Sequence, residues 1–154
     1  MPTTKQPTTR TAEVESWTDD EVSAMKERAA ELKRAKRRAK GGAEADPEAE
    51  LLAKIAEMPQ ADRVIAERIH EIVTAEAPAL TPRTYYGMPA WAKDGKVLCF
   101  FQPASKFKSR YATFGFNDDA SLDEGTMWAT SWALTKLSKA DEARIAELVR
   151  KSVS

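Results

Sequence analysis

Residues 84–102, TYYGMPAWAKDGKVLCFFQ, decide the fold of this chain. Within them, residues 84–92 and 96–102 are rich in aromatic and β-branched side chains and are separated by Lys93-Asp94-Gly95. An Asp-Gly pair between two such runs is typical of a tight β-hairpin, because both turn residues tolerate positive φ. We therefore predict a pair of antiparallel strands here.

The composition of the two runs predicts where each strand lies in a sheet. Residues 97–101 are apolar on both faces, which favours a central strand with cover on both sides, and Cys99 is then expected to be an inert core residue. Pro89 cannot donate to a β-ladder, and Gly87 lies nearby. Both residues favour an edge strand or a bulge for residues 84–92.

Further elements are predicted on the C-terminal side. Alternating side chains over residues 110–116 predict a third strand, antiparallel to the second. Residues 117–134 are interpreted as an acidic loop followed by a short strand. Ser138 and Asp141 have the spacing of a capping box, and the helix that they open carries one apolar face, formed by Ile145, Leu148 and Val149.

Two helices are predicted before the hairpin. Asp46-Pro47 has the sequence of a helix start, and Met58-Pro59 ends or bends that helix. A longer helix follows over residues 61–76. Its core face is expected to carry Ile65, Ile69, Ile72 and Val73, and its opposite face, toward water or a partner, Arg63, Glu67, His70, Glu71 and Thr74. The sum is an α+β domain in which helices pack on an antiparallel sheet of about four to five strands.

The N-terminal part of the chain differs from this core. Residues 1–16 have almost no large apolar side chains and are predicted to be a disordered tail. Thr18 and Glu21 form a capping box for a helix with a narrow apolar stripe, Val22, Met25, Ala29 and Leu32. We place a basic helix and a glycine linker in residues 17–46, and the domain itself in residues 47–154, which we expect to fold alone.

The basic block of that helix suggests an interaction with polyanions. Residues 33–40 hold six basic side chains, and Gly41-Gly42 ends the helix. Lysine and arginine neutralise phosphates, but the chain has zero net charge and no aromatic residue interrupts the block. We therefore expect weak, salt-sensitive polyanion contacts and no sequence-specific nucleic-acid binding.

The composition of the 154 residues excludes several classes of protein. One His and one Cys cannot form an internal disulfide or a four-ligand zinc site. No apolar run has the length of a membrane span, and the first residues lack the apolar segment of a signal peptide, so we expect a cytoplasmic protein. No nucleotide-binding, metalloprotease or serine-hydrolase motif is present, so we do not predict an enzyme.

The sequence also resembles a known family. The stretch Tyr86-Gly87-Met88-Pro89-Ala90-Trp91, residues 94–101, Lys106 and the closing helix over residues 137–149 are similar to the YdhG-like domains of unknown function. The resemblance runs over residues 51–153. It implies a frataxin-like, two-layer α+β fold. One bacterial member is regarded as an iron chaperone, so the resemblance also implies iron handling and partners among iron–sulfur or haem assembly proteins.

Iron would need oxygen or nitrogen ligands, and two groups of residues could supply them. Glu67, His70 and Glu71 occupy neighbouring positions on a helix surface, although a single Glu-x-x-His more often belongs to a solvated helix face. Exposed acids after the third strand form the second group, Asp118, Asp119, Asp123 and Glu124. Such carboxylates would hold iron weakly.

The alternative function is a small-ligand or protein-binding module. Aromatic residues could line a cleft whose mouth carries basic side chains that meet an anionic ligand. The residues chosen for this role are Tyr86, Trp91, Lys106 and Trp128. For most aromatic residues a place in the core is the competing interpretation. Metal analysis separates the two functions, because only the first requires iron.

Overall fold

The computed structural model of the chain describes residues 16–39 and 46–154, which contain four helices and five strands. The elements are α1 (Asp19–Ala39), α2 (Pro47–Ala56), α3 (Gln60–Glu76), β1 (Thr81–Tyr85), β2 (Met88–Lys93), β3 (Lys96–Gln102), β4 (Ala112–Phe116), β5 (Ser131–Leu134) and α4 (Lys139–Ser152). The predicted tail, apart from Ser16, and the predicted helix end at Gly41-Gly42 lie outside the described residues.

The five strands form one antiparallel sheet in the order β1-β2-β3-β4-β5, so every strand pairs with its neighbours in sequence. This confirms the predicted α+β class and the central position of β3. The predicted Asp94-Gly95 turn is also confirmed, with φ angles of 51° and 81° at its two residues.

One face of the sheet carries the large core side chains. Trp91 is opposite Cys99, Cys99 is opposite Phe116, and Phe101 is opposite Phe114, so these residues share a face. They form one buried cluster with residues of α2, α3 and α4. That cluster includes the four residues predicted for the core face of α3 and the three predicted for the last helix, Ile65, Ile69, Ile72, Val73, Ile145, Leu148 and Val149.

The prediction of a single strand over residues 84–92 is wrong. The chain turns at Tyr86 and Gly87, whose φ angles are 53° and 77°, and β1 and β2 form a second two-residue hairpin. Of the two positions predicted for Pro89, an edge strand or a bulge, the edge strand is wrong, because β2 pairs with both β1 and β3. Pairing with β3 begins only at Ala90, so Pro89 need not donate on that side, and β2 has a register irregularity just after Trp91.

The two predicted capping boxes are confirmed. The backbone N–H of Thr18 donates to Glu21 Oε2 at 2.9 Å, and the backbone N–H of Glu21 donates to Thr18 Oγ1 at 3.1 Å. Ser138 and Asp141 exchange the same pair of bonds. The backbone N–H of Ser138, followed by its hydroxyl, lowers the pKa of Asp141.

Helix α1 turns three of the four residues of its predicted apolar stripe away from the rest of the protein, and the fourth, Val22, is half-buried. Met25, Ala29 and Leu32 are exposed, whereas Ala24 and the carboxylate residue Glu31 are buried. The contacts of α1 with the core are therefore mostly polar, and β1 is the strand that it contacts most. Independent folding of residues 47–154 stays a prediction.

Candidate functional site

The turn between β1 and β2 presents two adjacent backbone donors to one carboxylate. The N–H of Gly87 donates to Glu31 Oε1 at 2.7 Å, and the N–H of Tyr86 donates to Glu31 Oε2 at 3.0 Å. Successive N–H groups in a turn form a concave site for anions. Glu31 is only 3% exposed, and its bond from Gly87 is buried whereas that from Tyr86 is partly buried.

Two lysines stand beside these amides and face a second carboxylate of α1. Lys106 Nζ lies 3.3 Å from Glu27 Oε1, and Lys54 Nζ lies 3.4 Å from Glu27 Oε2. Glu27 Oε2 is buried and accepts no hydrogen bond, so its contact with Lys54 is ionic only. We call the amides of Tyr86 and Gly87, together with the ammonium groups of Lys54 and Lys106, the turn site.

Gly87 lets the Glu27 carboxylate approach the turn closely. A Cβ atom at this position would overlap Glu27 Oε2 and would lie 2.8 Å from Lys106 Nζ. The positive φ of Gly87 is also one that side chains other than glycine adopt only with strain. Both the conformation of the turn and the carboxylate beside it therefore favour glycine.

Aromatic rings hold α1 over the same turn. The guanidinium of Arg28 lies 4.9 Å from the ring centre of Tyr85 and 5.6 Å from that of Tyr86. Tyr85 in turn contacts Phe100 of β3, with ring centres 6.0 Å apart. A cation over an aromatic ring contributes about 0.5–2 kcal/mol, depending on its exposure. These contacts orient Arg28, which also pairs with Glu31 at 3.4 Å.

Lys106 reaches the site because its loop is fixed to α3. Asp62, a buried residue in the first turn of α3, accepts hydrogen bonds from the backbone N–H groups of Ala104 at 3.0 Å and Ser105 at 3.2 Å. The loop closes with a bond from the Ser109 N–H to the Ala104 carbonyl oxygen at 2.8 Å. Asp62 thus positions the backbone that carries Lys106.

The surroundings of the turn site are rich in cations. Burial lowers the pKa of Arg83, and the nearby charges of Arg28 and Arg38 lower it further, against the opposing effect of Glu31 and Glu50. A cavity of about 170 Å³ adjoins the site and is lined in part by Lys54, Gly87 and Lys106. An anion at this place would have both donors and adjoining space.

The structure brings together two of the four residues predicted to bind a ligand. Tyr86 and Lys106 both belong to the turn site. Trp91 is fully buried and donates its indole N–H to His70 Nδ1 at 3.2 Å, so it is a core residue. Trp128 is 38% exposed and lines a different cavity of about 220 Å³, together with Trp132.

The prediction that His70 faces water or a partner is wrong, because the ring packs inside the protein. Its side chain is only 13% exposed and is stacked on Trp91, with ring centres 6.1 Å apart. Because the indole can only donate, His70 Nδ1 accepts and the proton lies on Nε2, which faces Glu48 Oε1 at 3.3 Å. Both ring nitrogens are therefore engaged, whereas exposed Glu67 and Glu71 pair with arginines one turn away.

The acidic loop residues Asp118, Asp119, Asp123 and Glu124 are exposed, and Asp119 lies 3.9 Å from Lys96 Nζ. Across residues 16–39 and 46–154, no three or more His, Cys, Asp or Glu side chains come close enough together to hold a metal ion. The thiol of Cys99 is fully buried, as predicted, and burial raises its pKa.

Sequence reasoning missed Glu27, Glu31 and Asp62. Glu27 and Glu31 are four residues apart and share one face of α1 with Ala24. This spacing is the sequence pattern that could have indicated the two glutamates. The same spacing of acids is common on solvated helices, so it does not by itself indicate a site.

Comparisons of the chain with family models, curated proteins and solved structures found no match. No helix in the described part of the chain is long and apolar enough to cross a membrane.

Proposed function

We propose that this chain is a non-enzymatic, YdhG-like binding module whose turn site holds the oxyanion group, carboxylate or phosphate, of a small ligand. One observation carries the proposal: two adjacent amides and two lysines converge on a pair of carboxylates. This is the small-ligand alternative predicted from the sequence. Tyr86 contributes its backbone N–H to the site, whereas the sequence suggested that its aromatic ring lines a cleft.

The chemistry of the site suits a flat or tetrahedral oxyanion. The two amides are fixed by the hairpin, and they engage both oxygens of one carboxylate at 2.7 and 3.0 Å. Hydrogen bonds to an ionised acceptor are roughly twice as strong as neutral ones. Lys106, which is only 14% exposed, adds charge without full hydration. The cavity beside the site has room for the rest of a small ligand.

Iron handling, the function implied by the YdhG-like resemblance, is not part of the proposal. In the described residues, neither the pair Glu67 and Glu71 nor the acidic loop belongs to a cluster of three side chains that could bind a metal ion. Both ring nitrogens of His70 already contact Trp91 and Glu48. The donors of the turn site repel a cation. The geometry therefore supports an anionic ligand.

The test uses the full chain carrying Glu27→Gln and Glu31→Gln together. The carboxylate of Glu31 accepts from the amides of both Tyr86 and Gly87, whereas a glutamine has only one acceptor oxygen. Its NH₂ group would face the other amide, donor against donor, so the turn loses its internal acceptor. We expect inorganic phosphate, and separately acetate, to shift the amide resonances of Tyr86 and Gly87 saturably. Adding Lys106→Ala to this variant should weaken that binding.

The matched control is Glu57→Gln. Glu57 pairs with Lys54 at 3.6 Å but is 69% exposed, so this change removes one negative charge near the site and leaves the carboxylates of α1 in place. It should not create phosphate binding at the turn. Amides of Tyr86 and Gly87 that ignore both anions in the double variant, or binding indifferent to Lys106→Ala, would refute the proposed function.

A further inference from the structure

We infer that α1 is a displaceable internal occupant of the turn site, so that docking of α1 and binding of an oxyanion ligand exclude one another. This inference rests on the proposed function. It adds a regulatory contact: the chain carries its own competitor, and the state of α1 sets how much of the site a ligand can reach.

The carboxylates of α1 occupy every donor of the turn site. Glu31 takes both amides, and Glu27 lies against both lysines. A ligand oxyanion placed on the same four groups would overlap these carboxylates and add negative charge beside them. Ligand binding therefore requires both carboxylates to leave the site, and we expect α1 to leave with them.

The apolar contribution to α1 docking is small. Within the described residues of α1, Asp19–Ala39, Ala24 is the one apolar side chain that is buried. Met25 and Leu32 are 39% and 48% exposed. Hydrophobic stabilisation scales with the apolar area removed from water, and an alanine offers little of it. Docking must therefore depend on polar contacts.

Beyond the turn site, the polar contacts of α1 are of a kind that other ions can replace. Arg34 and Arg38 both reach Glu50 Oε1 at 3.1 Å, and their side chains are 32% and 26% exposed. Partly exposed ion pairs contribute about 0–1 kcal/mol and weaken as salt rises. Glu27 Oε2 is buried without a hydrogen bond, which further lowers the net stability of the docked state.

Release of α1 also leaves a more receptive site. Arg28 and Arg38 depart with the helix, whereas Lys54, Arg83 and Lys106 stay on the core. The carboxylates of Glu27 and Glu31, which neutralise the turn site, depart as well. The positive charge that remains can be met by an incoming oxyanion.

Competition predicts a difference in affinity between two forms of the full chain. The apparent Kd of the wild-type chain is the intrinsic Kd divided by the fraction with α1 released. We expect phosphate to bind the Glu27→Gln/Glu31→Gln variant at least about tenfold more tightly than the wild-type chain. Equal affinities would overturn the inference.

A spin label on α1 observes the displacement directly. Leu32→Cys places a nitroxide on the outward face of α1, and buried Cys99 does not compete for the label. With α1 docked, the nitroxide broadens the amide resonances of Tyr86 and Gly87. Phosphate added at constant ionic strength should relieve this broadening. The matched control is Leu52→Cys on α2, which is 47% exposed, and its broadening pattern should not change.

The outcomes separate the two proposals. Amides that shift with phosphate while the broadening from α1 persists would overturn the inference and leave the proposed function intact. A double variant that fails to bind either anion would remove the proposed function and the competition together. Relief of broadening by phosphate but not by chloride at equal ionic strength supports both.

Discussion

Replacing Gly87 with alanine should destabilise the protein more than the same change at Gly95. Both glycines are the second residue of a two-residue hairpin turn, with φ angles of 77° and 81°. A Cβ atom at Gly95 meets nothing within 4 Å, whereas one at Gly87 overlaps Glu27 Oε2. The pair therefore separates the strain of the turn from its contact with α1.

The magnitude follows from these two parts. A non-glycine residue in the left-handed region costs about 1–2 kcal/mol, which applies to both variants. At Gly87, the Glu27 carboxylate must also move, so its partly exposed ion pairs with Lys54 and Lys106 are lost, at about 0–1 kcal/mol each. We expect Gly87→Ala to lower the free energy of unfolding by roughly 1 kcal/mol more than Gly95→Ala.

Urea unfolding followed by circular dichroism measures this difference, and a Glu27→Ala background isolates its cause. In that background the excess cost of Gly87→Ala should disappear, because the side chain that it displaces is gone. Equal losses for the two glycine variants in the wild-type background would refute the reasoning. So would an excess that survives the removal of Glu27.

Three further predictions concern other parts of the chain. Cys99 should resist thiol reagents in the native protein at mildly alkaline pH and react after unfolding, because burial raises its pKa; fast native labelling would contradict this. A chain that starts at Asp46 should fold cooperatively, with a lower urea midpoint than the full chain. A random-coil circular dichroism spectrum of this shorter chain would contradict the prediction and show that folding requires α1. Asp141→Asn should destabilise the protein at neutral pH and make no difference in strong acid. The folded pKa of Asp141 is lowered, so its contribution is present above its unfolded pKa and disappears as pH falls through the folded pKa; a pH-independent difference would contradict this.

The elements that could be predicted from the sequence depend on neighbouring residues. Asp94-Gly95 specifies a turn by its own conformational preferences, and the Ser138–Asp141 capping box needs only three residues of spacing. The apolar faces of α3 and α4 follow from helical periodicity. Local signals of this kind were sufficient for the α+β class and the central position of β3.

The candidate site depends on contacts between distant segments, which local patterns do not contain. Tyr86 is an unusual residue for a left-handed turn position, so the first hairpin was missed, and its amides are satisfied by Glu31, 55 residues earlier. His70 has the helical phase of a surface residue, but the indole of Trp91 draws it into a half-buried hydrogen bond. Neither partner can be identified before the sheet is assembled.

The order of synthesis gives the contact between α1 and Lys106 a further consequence. Glu27 and Lys106 are 79 positions apart, and α1 precedes every part of the site that it occupies. At translation rates of about 5–20 residues per second, α1 would wait about 4–16 s for Lys106 to be added. For most of that interval, until Tyr86 and Gly87 have been added, its two carboxylates have no turn to bind. The residues of α1 are therefore synthesised while their docking surface is still incomplete.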